Sequence, residues 1–332
     1  MTELSRHKNK PNLKPCSELS QLLEEDPIGT APIWDKCIVI ELAAPWSAKI
    51  ENSKNFEESI RNKISELNLA GQKVRLQCIL PDPLYSQPGM RRVILFKRNP
   101  RFLASADRAE YLVPKKHLSE ICLSILENSI DLGKYKKFKQ MNNSVRDILV
   151  CTHGNRDRCC GSIAIPLYNK LKGYYTDSLK IKGGIRIWRT SHTGGHRFAP
   201  TIIDLPQARY WAYANKMMVD SIITKSEPIT NLKKNYRGCA LLASIPEQNS
   251  ERELMIKLGW NWIDAQKEIS TLKSSPSDSH LIQTKNIDSL TNLTQVVNIK
   301  IEYTKSIPTM NCMKEGNKGF NKKYRVVEGF EL

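Results

Sequence analysis

Nowhere in its 332 residues does the chain carry an uninterrupted apolar run of the roughly 18 to 20 residues that a membrane span needs. Its opening, MTELSRHKNKPNLKP, lacks the apolar core of a secretory leader. These absences argue against membrane insertion and secretion and lead to a cytoplasmic expectation. No helix-turn-helix, RNP or zinc-finger pattern accompanies the positive charge, so nucleic acid is not the expected partner. A C-x-x-C pair, the usual mark of a thiol-disulfide oxidoreductase, is also missing.

Acidic residues are scarce in one stretch above all. Between Lys134 and Arg197 there are fourteen Lys or Arg against Asp147, Asp157 and Asp177, within a chain of formal net charge +17. A concentrated basic field steers acidic partners and speeds encounter, so this segment is expected to dock an acidic redox protein; the plain alternative is a generally basic surface. Cysteine, by contrast, is plentiful. Nine cysteines, odd in number and unevenly spread, in a chain far larger than a disulfide scaffold, suggest metal or redox chemistry for those that cluster. With 40% apolar residues the chain can build one large core or two ordinary ones. Oligomeric state is not legible.

Hydrophobic periodicity organises the chain. Residues 1–30 read as a polar arm ending in a short amphipathic turn at Leu19 and Leu22. CIVIEL (37–42) reads as a buried strand, Pro45-Trp46 as a loop, and Phe56, Ile60, Ile64 and Leu67 recur at helical spacing. Val74 to Leu80 alternates as a strand, RVILFK (92–97) follows as another, and His117–Leu126 is helical. The order returns with DILVC (147–151), a helix over Ile163–Leu171, strands GIRIWRTS (184–191) and TIIDL (201–205), and an amphipathic helix over Ala208–Ile223. YRGCA (236–240), a charged helix near Glu251–Leu258 and a Ser/Pro/Asp linker at Ser274–Ser279 come next. VNIKIEY and YRVVEGFEL then read as paired strands joined by a flexible GNKG. The expected fold class is α/β: two tandem thioredoxin-like α/β units with a small β-rich C-terminal extension. The expected divisions are 1–30, 31–140, 141–270 and 271–332.

Chemistry concentrates in two loops. CTHGNRDRCCG (Cys151–Gly161) places one cysteine at the end of a buried strand and two more after a polar loop, ahead of a helix expected near Ser162 whose first N–H groups favour thiolate. SHTGGHRFAP (Ser191–Pro200) again follows a strand; Gly194 and Gly195 argue for a tight loop with free backbone amides between two histidines. Two thiolates and two imidazoles make four ligands, as a tetrahedral zinc ion or a [2Fe-2S] cluster needs, and the chemistry leaves both open.

Cys151-x8-Cys160 followed by His192-x3-His196, with CTHG and HTGGHRFAP around them, resembles the sucrase/ferredoxin-like family of thioredoxin-fold ferredoxins, over about Cys37 to Trp262. The resemblance implies a [2Fe-2S] electron-transfer protein, with Cys151 and Cys160 on one iron and His192 and His196 on the other. It also implies a cluster-free first unit, where Pro45-Trp46 stands in place of a cysteine. Imidazole ligands imply a potential above that of all-cysteine ferredoxins and coupling of electron to proton uptake. No motif suggests the opposed carboxylates of a glycosidase. Cys160 is preferred over Cys159 as ligand, and His153 reads as a loop-structuring neighbour. Cys16, Cys37, Cys78, Cys122, Cys239 and Cys312 read as ordinary cysteines. Trp188, Tyr210, Trp211 and Tyr213 read as core, and Arg156, Arg189 and Arg197 as outer donors or docking charge. A structural zinc protein, or a thiol-disulfide oxidoreductase using Cys159 and Cys160, are the competing functions.

Overall fold

The computed structural model describes residues 15–99, 105–127, 130–141, 144–175, 184–287, 294–309 and 320–329; Cys312 and the GNKG connection lie outside them. Helix α1 (Cys16–Leu22) comes first. Its buried face is the polar one: Cys16, Ser17 and Ser20 are inside and Leu22 is exposed, the reverse of the expected amphipathic turn. The reason is its neighbour. The helix packs on the polar 3-10 turn His196–Phe198 and bonds Tyr213 through Ser20 Oγ at 2.8 Å, which small hydrogen-bonding residues permit and leucines do not.

The first unit runs β1 (Lys36–Glu41), α2 (Glu58–Leu69), β2 (Val74–Ile79), β3 (Met90–Lys97), β4 (Asp107–Pro114), α3 (Leu118–Glu127) and the short β5 (Lys139–Gln140). The second runs β6 (Arg146–Cys151), α4 (Arg158–Ser162), α5 (Ala164–Tyr175), β7 (Ile185–Thr190), β8 (Ile202–Leu205), β9 (Arg209–Trp211), α6 (Lys216–Thr224) and β10 (Tyr236–Cys239). Among the described residues these strands form one ten-stranded mixed sheet, ordered β10-β9-β8-β6-β7-β2-β1-β3-β4-β5. Each unit has a parallel inner pair, β1 with β2 and β6 with β7, and an antiparallel third strand, so the repeat expected from element order is present as repeated topology.

β1 shows why such strands read as unbroken apolar runs. Cys37 and Val39 enter one core cluster while Ile38 and Ile40 enter another, so both faces are covered. Each fully buried Ile or Val contributes roughly 1.5–3 kcal/mol by leaving water. Two elements differ from expectation. β4 carries Arg108 and Glu110, whose charges hide the strand pattern; Arg186 Nη1 meets Glu110 Oε1 at 2.9 Å, and Arg186 Nε meets Asp147 at 2.7 Å, in a buried network spanning both units. Residues 208–223 are not one helix. Arg209–Trp211 pair as β9, and α6 begins only after Asn215, whose side chain accepts from the Met218 N–H at 2.9 Å.

β2 and β7 meet antiparallel at Ile79 and Thr190, the last residue of each. The carboxyl ends of both parallel pairs therefore converge at the seam between the units. That is where the loops after β1, β6 and β7 face one another.

Beyond the large sheet, α7 (Ile245–Leu258) and α8 (Asn261–Asp264) lead to an antiparallel sheet of β11 (Gln266–Ser274), β12 (Ser279–Ile287), β13 (Thr294–Pro308) and β14 (Phe320–Gly329). Ser274–Ser279, expected as a linker, contains the hairpin turn between β11 and β12. The charged helix begins earlier than expected and buries its polar side chains. Glu251 pairs with Arg209 at 2.8 Å, and Gln248 donates to the carbonyls of Ala31 and Cys239 at 3.1 and 3.2 Å. Among the described residues, no helix is long and apolar enough to cross a membrane.

Candidate metal centre

Cys151 ends β6 with its N–H on the Thr201 carbonyl at 3.0 Å, which fixes the thiol at a rigid strand end. The loop then folds back on itself. A Cβ on Gly161 would stand 2.8 Å from the Gly154 Cα, so only two facing glycines let the loop close. Asp157 caps α4 by accepting from the Cys159 N–H at 2.9 Å. The helix thus starts at Arg158 rather than near Ser162, and Cys159 and Cys160 lie within its first turn.

One turn separates the fates of these two thiols. Cys160 joins Cys151 and His192, with Cys160 Sγ 3.9 Å from His192 Nδ1 and the three ligand atoms within 4.8 Å of one another. Cys159 faces Cys16 instead, at 3.5 Å between sulfurs. The Cys160 thiol bonds to Cys151, which holds the Cys151 pKa well below the ordinary thiol range against the opposing effect of burial; His192 and the Thr193 backbone add to it. The same bond, with burial, pushes Cys160 up. The two shifts run in opposite directions, so the shared bond favours ionisation at Cys151 over Cys160.

The histidine loop is shaped by its glycines and by an arginine. Gly194 and Gly195 have φ of 84° and 67°, and a Cβ on Gly195 would lie 2.6 Å from Arg237 Nη2. Buried Arg237 donates to the Gly194 carbonyl at 3.0 Å and to the Thr30 carbonyl at 2.7 Å, tying this loop to the chain ahead of β1. Arg75 Nη2 holds the His192 carbonyl at 3.0 Å. His153 accepts the His192 N–H on Nδ1 at 3.2 Å and so donates from Nε2 to the Ser47 carbonyl at 2.9 Å. Both of its nitrogens are engaged, in agreement with a loop-structuring role.

His196 belongs to a neighbouring group. Its ring centroid is 6.0 Å from that of His192, and its Nδ1 lies 3.2 Å from Cys16 Sγ and 3.1 Å from Asp157 Oδ2. Burial, then the charges of His192 and Arg197, lower its pKa to about 4; burial raises Asp157 to about 6. His196 Nδ1 bonds the Cys16 thiol and stands near the Asp157 carboxylate without a hydrogen bond to it, which leaves Nε2 as the nitrogen able to offer a lone pair to a metal. Two groups of side chains able to bind a metal are thus present: Cys151, Cys160 and His192, and beside them Cys16, Asp157 and His196.

A family model described as sucrase/ferredoxin-like matches residues 27–238. The chain belongs to the sucrase/ferredoxin-like family. Comparison with curated proteins and with solved structures gives no match.

All four expected ligands of this sucrase/ferredoxin-like chain lie inside the matched residues, whereas Cys16, read from sequence as ordinary, precedes them and touches the site. Sequence reasoning also missed Arg75, Asp157 and Arg237 as site residues. Asp157 carried a signal, an N-cap residue directly before a short helix; Arg75 and Arg237 stand in strands and carried none. Trp188, Tyr210 and Trp211 are buried core, as expected. The remaining six cysteines divide plainly: Cys37, Cys78, Cys122 and Cys239 are buried away from these groups, Cys16 is not, and Cys312 is outside the described residues.

The basic segment looks different in space than in sequence. Arg146 pairs with Asp204 at 2.7 Å, Lys172 with Asp82 at 2.6 Å, Arg186 with Asp147 and Glu110, and Arg197 with Glu25 at 2.9 Å. Most of those carboxylates come from outside the segment, which is why the local excess did not reveal its internal neutralisation. Arg197 is therefore a buried structural cation, Arg189 supports the cysteine loop through Thr152 Oγ1 at 3.2 Å, and Arg156 is exposed.

Proposed function

We propose that this chain is a one-electron carrier holding a [2Fe-2S] cluster through Cys151, Cys160, His192 and His196. The observation that carries the reading is the donor arrangement: two thiols and one imidazole converge within 4.8 Å, and a second imidazole stands beside them with its Nδ1 turned to Cys16 and Asp157. The donor set fits such a group. Cys151 is already inclined to ionise, Cys151 and Cys160 are fully buried, and the Thr193 backbone amide bonds to the ligand sulfur. When bound, the cluster supplies a one-electron couple whose potential rises as neutral imidazole replaces thiolate.

The chain's own residues hold and shield. Arg75 and His153 fix the backbone on either side of His192, Arg237 clamps the diglycine turn, and Cys16 bonds the His196 ring with the Asp157 carboxylate close beside it. The reading places the protein in a reducing compartment such as the cytoplasm, where its thiols persist. A single zinc ion is the second reading, favoured by the compactness of the Cys151, Cys160 and His192 group. Thiol-disulfide exchange between Cys159 and Cys160 has no such support, because the two sulfurs face different groups.

Anaerobic purification from iron-replete cells should yield about two irons and two acid-labile sulfides per chain, with visible absorption and an EPR signal on reduction. Stoichiometric zinc without sulfide would overturn the cluster in favour of the second reading.

A further inference from the structure

A groove of about 580 Å³ opens at the seam between the two units, walled by α2, the loop after β1 and the cysteine loop. Lys49, Arg61, Arg75 and Arg156 line it, Arg61 being paired with Glu58 on the same helix; Glu51 is the one acidic lining residue among the described residues, and His192 forms part of the wall. The volume is in the range of built binding sites. Elsewhere in the basic segment, Arg146, Lys172, Arg186 and Arg197 are matched by internal carboxylates. In the groove Lys49, Arg75 and Arg156 have no such carboxylate pair among the described residues, so they bring positive charge from both units to the face beside the metal-binding side chains. The groove lies largely outside the segment that the linear sequence marks as basic.

We infer that this groove is the docking site for a carboxylate-rich segment of an acidic electron-transfer partner, seated against His192. The inference rests on the electron-carrier reading for the partner's role, but its charge geometry stands independently. Electron exchange needs a short path to the donor, and Cys151 and Cys160 are wholly buried, whereas the half-buried His192 reaches the groove wall. Transient redox encounters use small interfaces guided by complementary charge, and Lys49, Arg75 and Arg156, with the Arg61–Glu58 pair at the wall and Glu51 as the acidic lining residue, supply that guidance for an anionic segment.

The test uses the full-length chain and a fluorescein-labelled decaglutamate peptide, read by anisotropy at low salt. The double variant Arg61→Glu with Arg156→Glu should weaken peptide binding about tenfold or more. Lys273→Glu with Lys305→Glu, an equal charge change on the C-terminal sheet, should leave it within about twofold. Circular dichroism checks that both variants fold. A second arm follows oxidation of the dithionite-reduced protein by ferricyanide: the groove variant should slow it several-fold and more than the control does. Equal weakening by both double variants would reduce the effect to general charge and overturn the proposal. So would displacement of the peptide by millimolar phosphate at constant ionic strength, which would assign the groove to a small anion. A protein without a redox-active cluster would remove the second arm alone; the peptide arm still decides the groove.

Discussion

The first unit ends β1 at Glu41 and runs through Leu42 into the Pro45-Trp46 loop, while the second ends the corresponding strand, β6, in Cys151. Strand order is the same, and so is the parallel pairing with the next strand. Yet the first loop holds no cysteine or histidine and instead supports the second: the Ser47 carbonyl receives His153, and the Trp46 carbonyl receives Asn155 Nδ2 at 2.7 Å. The repeated layout is divided between a unit that carries the Cys/His groups able to bind a metal and a unit that braces them. Because the carboxyl ends of both parallel pairs meet at one seam, the brace reaches the site directly. Thiol environment follows the same division. Burial pushes Cys37 up to about 12 and Cys78 and Cys122 upward as well, whereas a bonded neighbour pulls Cys151 down.

The comparison breaks most visibly at those thiols. Cys151→Ser or Cys160→Ser should lose nearly all bound metal, because a hydroxyl is a poor substitute for a thiolate ligand. Cys37→Ala and Cys122→Ala should keep full metal content while costing about 1 kcal/mol of stability through lost packing. Metal analysis beside urea unfolding measures both. Full occupancy in Cys151→Ser would remove that residue from the ligand set.

A smaller effect is expected at the glycines. Gly161→Ala forces a methyl group against the Gly154 backbone, which cannot move aside as a flexible side chain can, so about 1–3 kcal/mol should be lost. Gly133→Ala, between α3 and β5 of the first unit, meets nothing within 4 Å and should change stability little. Matching losses in the two variants would mean that the close glycine contact is not what closes the loop.

Alkaline titration sharpens the comparison further. The folded pKa of Cys37, about 12, lies above its ordinary value of 9.0, so its stabilising share is complete below pH 9 and is lost as pH rises towards 12. Metal-free wild type should therefore lose stability across that window, with Cys37 contributing on the order of 1 kcal/mol by pH 10. Cys37→Ala should flatten the slope by that amount. Cys151, shifted downward, contributes the opposite way: its share is complete above the ordinary thiol pKa and fades as pH falls. An unchanged alkaline slope in Cys37→Ala would show that this thiol does not titrate with unfolding.

Where burial followed a simple period, the fold was legible. CIVIEL and DILVC, closed on both faces, read as strands because nothing polar interrupts them. Asp107–Pro114 did not, since Arg108 and Glu110 are inside yet charged, and only partners distant in sequence make that tolerable. The Ala208–Ile223 segment misled for a related reason: Tyr210 and Trp211 are apolar on a period that suits helix or strand, and the sheet edge decided. At the site, the family resemblance preferred Cys160 over Cys159 as ligand, and it is the Cys160 sulfur that groups with Cys151 and His192 while Cys159 faces Cys16. Cys16 was not, because a contact spanning 180 residues to His196 leaves no trace in spacing.

Cys16 belongs to neither repeat and precedes the family match, yet the helix that carries it bears on the second unit alone at this site. Its sulfur stands 3.2 Å from His196 Nδ1, and the Asp157 carboxylate approaches the same nitrogen at 3.1 Å. Removing the thiol therefore leaves His196 one of its two polar neighbours, and ring orientation should loosen rather than fail. Outer partners of ligand histidines typically govern about 10- to 100-fold in metal retention, and a remaining carboxylate should keep this case near the lower end. Cys16→Ala should release metal to a chelator several-fold to about tenfold faster than wild type at equal starting content, and Cys16→Ser, which can still bond Nδ1, should recover most of the difference. Cys122→Ala in the bracing unit should release metal at the wild-type rate. Equal release from Cys16→Ala and wild type would mean that Asp157 alone holds the His196 ring and that α1 only covers it.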